Sequence, residues 1–136
     1  MNILVLCTGN SCRSQLLHGF LKQYKELNVY SAGIETHGLN AKAVRVMSEI
    51  DIDISAHVSN NVDEYKDIPF DYLITVCDHA SENCPIFPQK VTRIHNSFKD
   101  PAKAIGTSDE ILDEFRAVRD EIKIFSDQFY TKLAIK

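Results

Sequence analysis

No stretch of this chain approaches the roughly 20 consecutive apolar residues that a membrane-spanning helix needs. The opening MNILVLC has neither the basic start nor the small-residue cleavage site of a secretory signal, so a cytoplasmic protein is expected. A basic excess is missing too. Fifteen Lys and Arg stand against 19 Asp and Glu, a net charge of -4, which gives no general attraction to nucleic acid or an anionic membrane. An anion would have to be gripped by a local site. Repeats, linkers and low-complexity tracts are absent. A chain of 136 residues, 44% hydrophobic, can build one core and little more, so a single domain over residues 1–136 is expected.

Cysteine is sparse, with four in all: Cys7, Cys12, Cys77 and Cys84. A reducing compartment disfavours static disulfides, which leaves metal ligation or redox chemistry. The spacings C-x4-C and C-x6-C fit structural zinc sites only loosely, and Arg13 beside Cys12 would repel the cation. No metal is expected.

Short apolar runs alternate with amphipathic segments. NILVL, residues 2–6, reads as a buried strand, and QLLHGFLKQY puts Leu16, Leu17, Phe20, Leu21 and Tyr24 on one helical face. NVYSAG offers a second strand stopped by Gly33, and Asn40 can cap a helix whose Ala43, Val44, Met47 and Ile50 face inward. DYLITVC, ending at Cys77, is a third strand; VTRIHN, between Pro88 and the Asp100-Pro101 turn, is a weaker fourth. Thr107 and Glu110 form a T-x-x-E capping box, followed at spacings of three and four by Ile111, Phe115, Val118, Ile122, Phe125 and Phe129, the pattern of a long terminal helix. This alternation predicts an α/β fold with right-handed crossovers and a parallel sheet, whose ligands lie beyond the strand C-termini. Cys7 and Cys77 both fall at such ends and are expected to meet.

Between Cys7 and Arg13 the chain reads Thr8, Gly9, Asn10, Ser11, Cys12, a small polar turn from strand to helix. Such a turn can curl its N–H groups inward as an anion nest, and the following helix adds its positive N-terminal end. The same field favours a thiolate at Cys7, while Arg13 offers a planar fork to two oxygens of a tetrahedral anion and Ser14 can donate to the sulfur. The nucleotide-binding loop G-x-x-x-x-G-K-[ST] is not present, because the loop has no Lys. The bland alternative is a buried Cys beside a surface Arg. Cys12 is expected to be a structural thiol pointing away from the anion.

CTGNSCRS, VYSAGIETHG, DIDIS, CDHASENCP, DPA and FRAVRDEI together resemble the thioredoxin-coupled arsenate reductases, which share the low-molecular-weight protein tyrosine phosphatase fold. The resemblance implies a three-layer sandwich with a four-stranded parallel sheet flanked by helices. It also implies Cys7 as nucleophile, residues 8–14 as oxyanion binders with Arg13, Asp100 as general acid, Cys77 and Cys84 as the redox pair, and thioredoxin as external reductant, with no bound cofactor and a monomeric enzyme. Some relatives bind potassium through Asn, Ser and an acidic residue. Asn10 and Ser31 match, but His18 stands at the acidic position, read here as an exposed helix residue, and an imidazole is a poor ligand for a hard cation.

If DHASEN were helical, the seven-residue step would hold the Cys77 and Cys84 α-carbons about 10 Å apart, beyond the ~7 Å limit for a disulfide. Asp100 initiating a turn is the ordinary role of an Asp-Pro pair. Ala102 stands where related phosphatases carry an aromatic that lines the phosphotyrosine slot, which suits a small inorganic substrate. Three readings follow. Arsenate reduction uses all three cysteines; a phosphatase with the same loop would leave Cys77 and Cys84 idle; an oxyanion- or zinc-sensing module would be no enzyme.

Overall fold

The computed structural model describes residues 1–84, 87 and 90–135. Pro85 of the quoted cysteine motif, Pro88 and Lys136 lie outside the described residues. Four parallel strands, β1 (Asn2–Cys7), β2 (Asn28–Gly33), β3 (Tyr72–Thr75) and β4 (Thr92–His95), form one sheet in the order β2-β1-β3-β4. Helices α1 (Arg13–Leu21), α2 (Ala41–Ser48), α3 (Asp78–Glu82) and α4 (Ser108–Ile135) connect and follow them. The α/β class and the parallel sheet are as the alternation predicts.

β1 lies centrally, its Ile3, Leu4, Val5 and Leu6 fully buried, because a parallel strand covered on both faces has no polar side to show. Alternation along the strands divides these side chains between two faces. On one, Ser31 of β2 meets His18 of α1, and Tyr72 of β3 packs edge-on against Phe129 of α4. On the other, Tyr30 of β2 packs edge-on to Tyr65 and Phe70, and Phe70 to Phe87. The reversal of strand order beside β1 puts the C-terminal ends of β1 and β3 next to each other, with Leu6 in register with Thr75. That crevice is where an open parallel sheet binds ligands.

Local signals hold where they are local. Asn40 accepts from the amides of Lys42 and Ala43 at 2.8 and 3.1 Å, and Thr107 and Glu110 close their box reciprocally at 3.2 Å. Two boundaries differ. α1 begins at Arg13 and ends at Leu21, so Tyr24 lies past it in the following turn, stacked on Tyr130. In α2 the inward residues are Ala43, Val46 and Met47, with Val44 only half-buried and Ile50 beyond the helix.

Candidate active site

Cys7 closes β1 and is almost wholly buried, with 3% of its surface exposed. The turn after it is shaped from outside. Backbone amides of Ile34, Glu35, His37 and Asn40 donate to the carbonyls of Cys7, Thr8, Gly9 and Ser11 at 2.8–3.2 Å, so segment 34–40 straps the loop along its carbonyl edge. With the carbonyls turned outward, the N–H edge is the one left to face an anion. Asn10 adopts a left-handed φ of 49°, held by its own side chain: Nδ2 donates to Ser14 Oγ at 2.8 Å and Oδ1 accepts from the Asn60 amide at 2.8 Å. Gly9 has no room for a side chain, because a Cβ there would come within 2.2 Å of the His37 ring.

The candidate groups surround this loop. Cys7 Sγ lies 2.9 Å from Ser14 Oγ, and the Asn10 amide donating into Ser14 leaves the Ser14 proton to point at the sulfur. Arg13 donates to the Phe98 carbonyl at 3.0 Å and sits 3.7 Å from Asp100, so the guanidinium is braced at the cavity wall. Asp100 caps the turn before Pro101, its Oδ1 accepting from the Ala102 amide at 3.0 Å. The turn role and a place at the site therefore coexist. Cys7, the loop, Arg13, Asp100 and the small Ala102 line a cavity of about 330 Å³, with His37 and Lys103 at its rim. Cys12 is buried at the α1 N-terminus, and burial first, then the Asp100 charge, push its thiol up, so it stays protonated.

Residues 2–136 match the low molecular weight phosphotyrosine protein phosphatase family. The chain belongs to that family. Its relatives include an arsenate reductase of Halalkalibacterium halodurans, 51% identical over 122 residues and covering 88% of each chain, and one of Bacillus subtilis, 50% identical over 122 residues with the same coverage. Among solved structures, an arsenate reductase in its oxidised state superposes with a TM-score of 0.80 at 26% identity, over 96% of this chain and 97% of that one. An arginine phosphatase from Geobacillus stearothermophilus gives 0.78 at 26% identity, over 98% and 93%. The resemblance to arsenate reductases read from the motifs is thus shared by the whole sequence and fold.

In this member of the family the two distal cysteines take different positions. Cys77 is buried two residues past β3, at the N-cap position of α3, its sulfur 3.2 Å from Thr8 Oγ1 and so beside the loop. Cys84 is half-buried beyond α3, with Arg93 Nη1 donating to its sulfur at 3.3 Å. The intervening segment is helical over Asp78–Glu82 and buries only Ala80, while His95 anchors its start, 2.8 Å from Asp78. Among the described residues, no three His, Cys, Asp or Glu side chains converge as a metal-ligand set.

His18 is not the exposed helix residue the sequence suggests. Its Nδ1 lies 2.8 Å from Ser31 Oγ, and its ring stacks on His57 with centroids 4.3 Å apart. Burial, then the neighbouring His57 and Lys22, push it down to about 3, so it is neutral. At the matched cation positions, Asn10 Oδ1 accepts from the Asn60 amide and Ser31 Oγ meets a neutral His18 ring instead of a carboxylate. Gln15, Lys22, His57 and Asn60 escape the sequence reading. Gln15 could have been noticed as a polar residue beside Leu16 and Leu17 at the start of an apolar helix. His57 and Asn60 carry no local signal, because their partners are distant in the chain: His57 meets Gln15 of α1, 42 residues away, and Asn60 meets Asn10 of the loop, 50 residues away.

Proposed function

We propose that the protein reduces arsenate to arsenite. Arsenate sits in the loop with Arg13, and Cys7 sulfur attacks arsenic. An S–As bond forms, an As–O bond breaks, and the departing oxygen takes a proton from Asp100. Cys77 thiolate then attacks Cys7 sulfur; the S–S bond forms and the S–As pair stays on arsenic, which leaves as arsenite. Cys84 attacks Cys77, freeing Cys7, and a thioredoxin dithiol reduces the Cys77–Cys84 bridge. The reading places the enzyme in the cytoplasm as a monomer.

One observation carries it. Cys77 lies against Thr8, the residue after the nucleophile, at 3.2 Å. A hydrolase needs a nucleophile, an anion clamp and an acid but no second sulfur at the loop. The phosphatase reading keeps Cys7, Arg13 and Asp100, yet Ala102 gives the cavity no aromatic wall for a phosphotyrosine ring. The test is arsenate-dependent oxidation of NADPH in the presence of thioredoxin and thioredoxin reductase, with wild type and Cys77→Ser. Turnover lost in the variant while slow hydrolysis of a phosphate monoester persists supports reduction. Hydrolysis alone in both proteins refutes it.

A further inference from the structure

A line of hydrogen bonds runs from the surface to the nucleophile, and from Lys22 to Asn10 each link has only one direction. Gln15 Nε2 donates to the carbonyls of Asn10 at 3.1 Å and Val58 at 3.0 Å, so its other atom, Oε1, must accept. His57 Nδ1 lies 2.9 Å from that Oε1 and therefore carries the proton. His57 Nε2 lies 2.9 Å from Lys22 Nζ, an ammonium that can only donate, so Nε2 is bare. Lys22 is held there by a second bond, to the Asp53 carbonyl at 2.6 Å. At the other end, Asn10 Nδ2 donates to Ser14 Oγ, which faces Cys7.

We propose that Lys22 is a positioning residue for the Cys7 nucleophile: its ammonium fixes the His57 tautomer, His57 fixes Gln15, and Gln15 holds the carbonyl of the left-handed Asn10 on which the oxyanion loop turns. Asn10 holds the loop's left-handed φ of 49°, and the strut grips its backbone where the side-chain bonds to Ser14 and Asn60 do not. A second proton on His57 would point at the ammonium; burial first and Lys22 second push the ring down to about 4, with Asp53 opposing. The stacked His18 is neutral as well, so Lys22 is the resident cation of this corner. The charged groups nearer the sulfur are Arg13 and Asp100, which the strut does not touch. The inference rests on Cys7 being the nucleophile of the proposed reduction, but its test does not need arsenate.

In reduced wild type, ring nitrogen chemical shifts should report the Nδ1–H tautomer at His57. An Nε2–H tautomer there overturns the proposal without any variant. Lys22 lies at the half-exposed end of α1, so Lys22→Met is expected to fold. Its Cys7 alkylation by iodoacetamide, mapped by mass, should slow by roughly twofold to thirtyfold, the span seen for substitutions along a coupled network, and inorganic phosphate should protect Cys7 less well. Lys22→Arg, which keeps a donor-only cation, should recover both. Wild-type alkylation and protection in Lys22→Met, or an equal loss in Lys22→Arg, overturns the role. Failure of arsenate reduction with these readouts as expected would remove the proposed function and leave the strut standing.

Discussion

Mild acid should destabilise the reduced protein through His18 and His57. In the native state they are pushed down to about 3 and about 4, whereas their ordinary value is 6.5. Below that ordinary value the unfolded chain binds protons that the native state refuses, so stability falls as pH drops from about 6.5 toward the two native values, and nothing changes above it. Each group contributes at most about 1.4 kcal/mol per pH unit, so at about pH 5 the pair could cost ~4 kcal/mol. His57 is only half-buried, and solvent screening trims its share to give an expected loss of roughly 2–3 kcal/mol. That is a large part of the 5–15 kcal/mol typical of a whole domain. Glu49 and Asp53, whose carboxyls are lowered by hydrogen bonds from Arg116 and Ser55 respectively, begin to lose their contribution only near and below their ordinary values of 4.5 and 3.8, under the pH 5 end of the comparison. The assay is urea unfolding at about pH 7 and about pH 5, for wild type and the double variant His18→Gln/His57→Gln. The variant need not be as stable as wild type; its difference between the two pH values should shrink to under about 1 kcal/mol. An equal difference in both proteins, or none in wild type, refutes the assignment.

Cys84→Ser should stall after one turnover with Cys7 joined to Cys77, a bridge that mass mapping detects; continued cycling would remove Cys84 from the cascade. Hydrogen exchange across residues 77–84 should quicken once the Cys77–Cys84 bridge forms, because α3 buries only Ala80 and is cheap to open. Equal protection in reduced and oxidised protein would mean that the helix does not open. Asp100→Asn should slow the first chemical step by roughly a hundredfold or more while phosphate still protects Cys7, and an unchanged rate would leave Asp100 only its turn at Ala102.

The parts of this molecule legible from sequence are those whose cause lies within a few residues. The apolar run of β1, the Asn40 cap and the Thr107–Glu110 box each need only neighbours in the chain. The loop was legible for the same reason, since Cys7 and Arg13 are fixed to opposite ends of one turn. The third strand stops at Thr75 rather than Cys77, because Cys77 already stands at the N-cap position of α3, which a run of strand-forming residues does not announce. His18 defies its helical pattern because its surroundings are supplied by Ser31 and His57, neither of them on its helix. Periodicity says which face of a helix is wet only when nothing from elsewhere covers it.

The strap of residues 34–40 has a consequence for selectivity. A loop whose carbonyls are pinned before any anion arrives has a rigid shape, and it pays little ordering entropy when one binds. Such a mould measures size and tetrahedral charge, and arsenate, phosphate and sulfate differ little in either. Under the proposed function, discrimination is therefore deferred from binding to bond-making: abundant phosphate occupies the cavity as a competitor, but only arsenic accepts the electron pair when the second sulfur attacks. Tolerance of the wrong anion becomes a matter of lost time rather than of wrong product.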